Sequence, residues 1–128
     1  MVLVAQFVGA LFGLLAVFFG ALGAHALKKT FSDDQLKSFE TGVKYQMYHA
    51  ILLLILGFNL NLTTSVEKYM IYFLICGTFL FSFSIYGLTL SASKGKKLRI
   101  LGPITPLGGL LLGLGWGLLL WSFVRGYF

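Results

Sequence analysis

Two histidines and a few other polar side chains interrupt a chain that is otherwise strongly apolar. His25 lies near the end of the first apolar run, while Tyr45, Gln46 and His49 share one face of a helix, because residues three and four apart are neighbours on a helical surface. An imidazole can transfer a proton, ligate a metal or hold haem iron, and phenol and amide groups can orient a ligand. These residues are therefore the first candidates for chemistry.

We predict a pocket that combines these groups with two from a later helix. Its members are polar side chains expected in the same half of the molecule: His25, Tyr45, Gln46, His49, Ser84 and Tyr86. The plain alternatives are an exposed His25 at a helix end and a His49 that hydrogen-bonds between helices. The two histidines fall at different depths, which argues against one shared haem iron. We assign no catalytic residue, metal or cofactor.

The composition indicates an integral membrane protein. Of the 128 residues, 58% are hydrophobic and 11% are charged, whereas a soluble chain carries roughly 25% charged residues. A single cysteine, Cys76, excludes an intrachain disulfide, and there is no zinc-type spacing, phosphate-binding loop or hydrolase nucleophile motif. Ten Lys/Arg against four Asp/Glu do not point to nucleic acid here, because the charges flank apolar runs.

Four long runs lack Asp, Glu, Lys and Arg, at 1–27, 45–66, 69–93 and 100–124. Each reaches the roughly 20 residues that a helix needs to cross about 30 Å of hydrocarbon. The runs are continuously apolar rather than alternating, so they favour helices over barrel strands. We predict one transmembrane domain over 1–128, an all-α four-helix bundle with spans near 3–26, 41–62, 68–91 and 103–124.

A short amphipathic helix is predicted on the membrane interface between helices 1 and 2. Ser32 and Gln35 have the spacing of a capping box, and Asp33 and Asp34 fall in the first turn, where the helix dipole favours acidic groups. Apolar residues then recur at spacings of three and four. We expect this segment, over 31–40, either to run into helix 2 or to meet it at a kink.

The distribution of basic residues predicts the orientation. Eight of the ten Lys/Arg residues lie on the side of the loops after helices 1 and 3, and only Lys68 and Arg125 lie on the other side. The positive-inside rule then puts both termini outside and the basic loops in the cytoplasm. Tyr127 is one of the aromatic residues expected to anchor the outer interface.

Some of these basic residues lie beside the predicted start of helix 4, where free backbone N–H groups favour anions. They could hold a phospholipid headgroup: Lys28, Lys29, Lys94, Lys96, Lys97 and Arg99. The alternative is that topology alone explains their placement. Membrane lipids are thus the expected partners, and no nucleic acid is expected.

Glycines at regular spacing predict faces on which helices pack closely, because small residues let transmembrane backbones approach one another. Helix 1 carries Gly9, Gly13 and Gly20, and helix 4 carries Gly109, Gly113 and Gly117. We favour packing within one bundle. The alternative is that these faces join two copies in a homo-oligomer.

Several motifs resemble a known family. They are Gly20–His25, Tyr45–Ala50, Phe81–Tyr86 and Pro103–Gly109, followed by Trp116. In this order, and over essentially the whole chain, they resemble the small bacterial membrane family called domain of unknown function 423, which is related to the eukaryotic transmembrane protein 256. The resemblance implies a four-span protein of the bacterial plasma (inner) membrane. It brings no activity, and no catalytic residue is carried over.

The leading functional hypothesis is a non-enzymatic membrane protein with a cytoplasmic-side pocket for a lipid or a small amphiphile. A small transporter or channel is the first alternative, although the spans contain no carboxylate and no broken-helix repeat is evident. A membrane redox or haem protein that uses the histidines is the second alternative.

Overall fold

The computed structural model describes residues 1–126, which are almost entirely helical and contain no strand. Tyr127, a predicted anchor, lies outside these residues. The helices are α1 (Val2–His25), α2 (Asp33–Asn59), α3 (Ser65–Thr78), α4 (Ser84–Ser93) and α5 (Ile104–Arg125). Short 3₁₀ turns at Leu27–Lys29 and Arg99–Leu101 precede α2 and α5. The chain is therefore all-α, as its continuous apolar runs predict.

Three helical stretches are long and apolar enough to cross a membrane, namely Val2–Lys29, Ser65–Ser93 and Arg99–Arg125. They correspond to the first, third and fourth predicted spans. Helix α2 has 27 residues, which is long enough, but it is not among these three. Its first turns are charged and its middle carries Gln46 and His49, so its apolar character is lower. Both of these side chains are buried within the protein.

Helix α2 begins at a complete capping box. Ser32 Oγ accepts a hydrogen bond from the Gln35 backbone N–H at 3.2 Å, and Gln35 Oε1 accepts one from the Ser32 N–H at 3.0 Å. Together they satisfy two N–H groups that a helix start leaves open. No proline follows, and the helix continues unbroken to Asn59. The predicted amphipathic segment therefore runs into helix 2 without a kink, as the first part of α2.

The connection from α2 to α3 is short and firmly held. Thr64 and Glu67 form a second capping box, in which the buried carboxylate accepts from the Thr64 N–H at 2.8 Å. Leu62 has φ 51°, an uncommon conformation for a residue with a side chain. That side chain is 2% exposed, so its burial offsets the conformational cost. This short connection joins the two helices as a tight hairpin.

The third span is continuous from Ser65 to Ser93, but its middle is not α-helical. Residues Phe79–Phe83 form a π-helical segment between α3 and α4. A π segment accommodates an extra residue, so the two helices that it joins present different faces than one regular helix would. This segment directs Ser82 toward α2 and Ser84 toward the start of α5.

The helices pack in sequence: α1 against α2, α2 against the third span, and the third span against α5. An aliphatic cluster fills the half nearer the 60–64 connection and includes Leu53, Met70 and Leu74. A smaller aromatic cluster of Phe31, Phe39 and Tyr86 fills the other half. We call that second end, which carries the 26–32 turn and the 94–103 loop, the basic end.

The predicted glycine faces of α1 and α5 behave differently. Gly9 lies tightly against α2, where a Cβ would be 3.0 Å from the Ala50 carbonyl oxygen, and Gly13 and Gly20 also face α2. On α5, Gly109 is only in ordinary contact range of Phe81. A Cβ at Gly113 or Gly117 would have nothing within 4 Å.

The face of α5 that packs in the bundle is a different one, formed by Gly108, Leu112, Gly115, Leu119 and Ser122. The alternative in which Gly113 and Gly117 join two copies stays a prediction.

Candidate functional site

A layer of hydrogen-bonded polar side chains lies between the two apolar clusters, and Gln46 is its centre. This side chain is fully buried, and its Nε2 donates to the Phe12 carbonyl oxygen on α1 at 2.8 Å. Its Oε1 accepts from the Tyr86 hydroxyl on α4 at 2.7 Å. Gln46 therefore links three helices, and both ends of its amide have a partner, as a buried polar group requires.

The same layer brings α2 and α4 together through a small residue. Ser82 Oγ donates to the Gly42 carbonyl oxygen at 2.7 Å. A Cβ at Gly42 would lie 2.8 Å from Tyr86 Cε1, so only glycine leaves room for the tyrosine ring. The ring also contacts Phe39 with 4.9 Å between centroids. Gly42 thus sets how closely the two helices approach here.

His49 connects α2 to α5, and its contacts define its tautomer. Nδ1 lies 2.7 Å from the Tyr45 carbonyl oxygen, and Nε2 lies 3.1 Å from Trp116 Nε1. The indole N–H can only donate, so Nε2 must accept and Nδ1 must carry the proton. The contacts require a neutral imidazole, and both ring nitrogens are used. A metal or haem iron at His49 would have to displace one of these bonds.

The predicted set omitted two residues of this layer, Ser82 and Trp116, of which Trp116 bonds a predicted member. Its ring is 49% exposed on the side of α5, while its N–H points inward to His49. The sequence could have indicated Trp116 through its chemistry, because an indole N–H within a membrane needs a hydrogen-bond acceptor. The sequence does not indicate which of several polar groups would be that acceptor.

The six predicted pocket residues fall into separate places. Gln46 and Tyr86 bind each other, and His49 binds the backbone of Tyr45, whose own side chain is 42% exposed and packs on Phe81. Ser84 Oγ donates to the Phe81 carbonyl at 2.9 Å and lies 2.6 Å from Thr105 Oγ1.

His25 is exposed at the end of α1. Within residues 1–126, no hydrogen bond or ring contact joins it to the other five. The same residues contain no group of three His, Cys, Asp or Glu side chains that could hold a metal ion.

The space for a ligand lies beside the polar layer. A groove of about 460 Å³ opens at the basic end, between the first turns of α2 and the face of α4. Its polar lining consists of Asp34, Gln35, Ser38, Thr41, Thr89, Lys97 and Thr105. Its apolar lining consists of Ile85, Leu88, Ala92 and Gly102. The size suits a small-molecule site, for which about 300–1,000 Å³ is usual.

A second, apolar cleft of about 240 Å³ lies on the other side of the segment that leads into α5. It is lined by Phe79, Leu80, Phe83, Ser84, Leu101 and Ile104. The hydrogen-bonded pair of Ser84 and Thr105 lies between the two spaces, because Ser84 lines the cleft and Thr105 lines the groove. The groove has a mixed polar and apolar lining, whereas the cleft is lined almost entirely by apolar side chains, so the pair separates two environments.

Of the predicted headgroup residues, Lys97 lines the groove. Lys28 and Lys29 lie in the turn after α1, and Lys94, Lys96 and Arg99 share the loop with Lys97. These five are exposed and outside the groove lining. Two apolar side chains of the loop are also exposed, Leu98 by 52% and Ile100 by 78%. The loop thus presents basic and aliphatic side chains together.

Comparison with known proteins identifies relatives along most of the chain. It is 41% identical over 114 residues to the fission yeast (Schizosaccharomyces pombe) UPF0382 membrane protein C1782.12c, covering 88% of this chain and 95% of that one. It is 37% identical over 117 residues to the Escherichia coli UPF0382 inner membrane protein YgdD, covering 91% of this chain and 86% of that one.

It is also 35% identical over 119 residues to the Bacillus subtilis UPF0382 membrane protein YwdK, covering 91% and 93%. No solved structure matches the chain. The family model described as protein of unknown function, DUF423, matches residues 19–109, which hold most of the polar layer and the groove. The chain therefore belongs to the DUF423 family of membrane proteins.

Proposed function

We propose that this membrane protein is not an enzyme and that it holds a phospholipid by its headgroup in the groove at the basic end. The observation that carries the proposal is the groove itself. It is open to the outside, and one lining combines hydroxyls and charges with aliphatic side chains. Such a mixed lining suits a molecule that is itself amphiphilic.

The position of the groove supports a lipid rather than a freely soluble molecule. It lies where two long apolar helices end, Ser65–Ser93 and Arg99–Arg125, close to the level at which headgroups meet hydrocarbon. Leu98 and Ile100 are exposed beside Lys97, a combination typical of segments that lie on a membrane surface. A phospholipid whose headgroup lies in the groove would keep its acyl chains in the surrounding bilayer.

We further propose that the basic end faces the cytoplasm of a bacterium, that both termini lie outside, and that the membrane is the plasma membrane. Four of the basic side chains, Lys94, Lys96, Lys97 and Arg99, lie in a single loop of this end. Anionic inner leaflets attract such segments, and the positive-inside rule orients them. Labelling of a cysteine introduced at Lys96 in intact cells, compared with one introduced at Asn61, tests this orientation in a Cys76→Ala background.

Native mass spectrometry of the protein in mild detergent tests lipid retention. Ala92 lines the groove, and Ala92→Trp would fill much of it. We expect the wild type to retain one phospholipid and Ala92→Trp to lose it. Ala21→Trp is the matched control, because Ala21 is exposed on α1 away from the groove.

Equal lipid retention by all three proteins, or no retained lipid in the wild type, would overturn the proposal. The double variant His25→Ala/His49→Ala separates this groove from the pocket that the sequence predicts around the histidines. Neither histidine lines the groove, so we expect a folded double variant to keep its lipid.

A further inference from the structure

The groove carries one acidic and one basic side chain on different elements of its lining. Asp34 belongs to the first turn of α2, and Lys97 belongs to the loop after α4. Within residues 1–126, Asp34 and Lys97 do not form an ion pair with each other or with any other residue. Two opposite charges therefore face one ligand-sized space without neutralising each other directly.

We infer that the groove selects a zwitterionic phospholipid headgroup that carries a primary ammonium and a phosphate diester. Asp34 pairs with the ammonium, and Lys97 pairs with the phosphate. This inference rests on the proposed function, and it adds the chemical class of the lipid. Charge complementarity of this kind favours one partner over others that lack a matching group.

Three of the four hydroxyl groups of the lining, those of its threonines, favour an ammonium as well, whereas the Ser38 hydroxyl can either donate or accept. Thr41 Oγ1 donates to the Lys37 carbonyl oxygen at 3.0 Å, and Thr89 Oγ1 donates to the Ile85 carbonyl oxygen at 2.8 Å. A hydroxyl has one proton, so both oxygens keep only acceptor capacity. Acceptors suit the three N–H donors of a primary ammonium.

Thr105 adds a third acceptor by the same reasoning. Ser84 uses its proton on the Phe81 carbonyl, so Thr105 must donate in the 2.6 Å contact with Ser84. Thr105 lines the groove, and its hydroxyl oxygen is then also an acceptor. Among the charged lining groups, Lys97 is the donor left for phosphate oxygens.

Other common headgroups fit this lining less well. A phosphoglycerol headgroup brings no cation, so Asp34 would face a phosphate of its own sign. A phosphocholine headgroup brings a cation, but its trimethylammonium has no N–H to donate to the three acceptors. The expected order of retention is therefore phosphoethanolamine first, with phosphocholine and phosphoglycerol both behind it.

The test uses full-length protein in mixed micelles that contain equal amounts of phosphatidylethanolamine, phosphatidylcholine and phosphatidylglycerol with identical acyl chains. Native mass spectrometry reports which lipid is retained. We expect the wild type to favour phosphatidylethanolamine over phosphatidylglycerol by about three- to fivefold, the size of a partly exposed ion pair. Asp34→Asn should remove that preference, whereas Lys97→Gln should lower retention of all three lipids.

The chain offers a matched control for each variant. Asp33→Asn removes the neighbouring charge of the same helical turn, and Lys37→Gln removes a nearby exposed lysine; neither residue lines the groove. Both controls should behave as the wild type. Soluble glycerophosphoethanolamine, at the concentration of the lipid, should not displace it.

The outcomes separate this inference from the proposed function. If lipid is retained and lost in Ala92→Trp, but Asp34→Asn keeps the wild-type preference, the zwitterion inference is wrong and lipid binding stands. If retention does not depend on Ala92→Trp at all, both are wrong. If the soluble headgroup displaces the lipid at equal concentration, the ligand is a small polar molecule and the lipid assignment fails.

Discussion

The contact between the third span and α5 differs from the contact between α2 and α4. In the first, Gly77, Gly108 and Gly115 let two backbones approach, and a Cβ at any of them would lie 3.0 Å or less from an atom of the facing helix. In the second, the helices touch at Gly42 and Tyr86 and then leave the 460 Å³ groove beyond that point.

The difference indicates which contact holds the fold and which leaves space for a ligand. Packing energy between membrane helices comes from close approach and interhelical hydrogen bonds, because lipid is as apolar as the side chains. The contact between the third span and α5 supplies close approach, and the polar layer supplies interhelical hydrogen bonds. The open end of the other contact contributes less, so it tolerates change and can hold a ligand.

The largest loss of stability is expected at the closely packed contact between the third span and α5. In Gly108→Ala the new Cβ would overlap the Phe81 backbone nitrogen and lie 2.8 Å from Phe81 Cα, so the π segment or α5 must move. We expect a loss of about 3 kcal/mol in the free energy of unfolding, the upper range for overpacking. Thermal unfolding of the detergent-solubilised protein measures it.

Gly113→Ala is the control on the same helix, with nothing within 4 Å of the added Cβ. It should leave the unfolding temperature unchanged or raise it slightly, because alanine is the better helix former. Equal destabilisation by both variants would show that α5 packs on a different face from the one described.

The next largest effect on stability is expected in the polar layer, where α2 and α4 are in contact. Gln46→Leu leaves the Tyr86 hydroxyl and the Phe12 carbonyl without their partner, at a cost of about 1–3 kcal/mol. Tyr86→Phe leaves the bond to Phe12 intact and should cost less. A double-mutant cycle measured by chemical unfolding should give a coupling near 1 kcal/mol, and additive effects would contradict the hydrogen bond.

A smaller effect is expected where α2 meets α5. Trp116→Phe removes the donor to His49 and should cost about 0.6 kcal/mol, the average for hydrogen bonds between membrane helices. The bond itself can be observed through the indole N–H resonances in ¹⁵N-labelled protein. His49→Phe should shift the Trp116 signal and leave that of Trp121, which contacts Arg125, in place. Unchanged Trp116 signals would count against the assigned tautomer.

The smallest effect on stability should come from the groove. Ala92→Trp adds far more volume than Gly108→Ala, but it adds it to open space, so the unfolding free energy should change by no more than about 0.5 kcal/mol. The measurement is the same thermal unfolding series, after delipidation. A loss comparable with that of Gly108→Ala would mean that α2 and α4 close together along their whole length.

The sequence predicts the helices better than the way they pack. Apolar runs and capping residues are local features, and they placed a helix start at Ser32, which is the N-cap of α2, although the second span was predicted to begin only near residue 41. In α5, glycine and leucine occupy every face, so periodicity does not distinguish Gly108 and Gly115, which pack, from Gly113 and Gly117, which do not. Four-residue spacing favoured the wrong row within this bundle.

The candidate site was harder to predict for a related reason. Gln46 and Tyr86 are polar groups that must find partners within the membrane, and they do so. The groove arises from the divergence of two helices and from the course of the 94–103 loop, and neither leaves a local signal. The sequence of Phe79–Phe83 likewise does not indicate that this segment is π-helical.

That π segment acts as a rotational offset within the third span. One residue corresponds to about 100° of turn in an α-helix, so an insertion of one position rotates everything after it by that angle. Deleting one residue from Phe79–Phe83 would turn Tyr86 away from Gln46 and Thr89 away from the groove, although every side chain was still present. The length of this segment is therefore as much a part of the site as the side chains that line it.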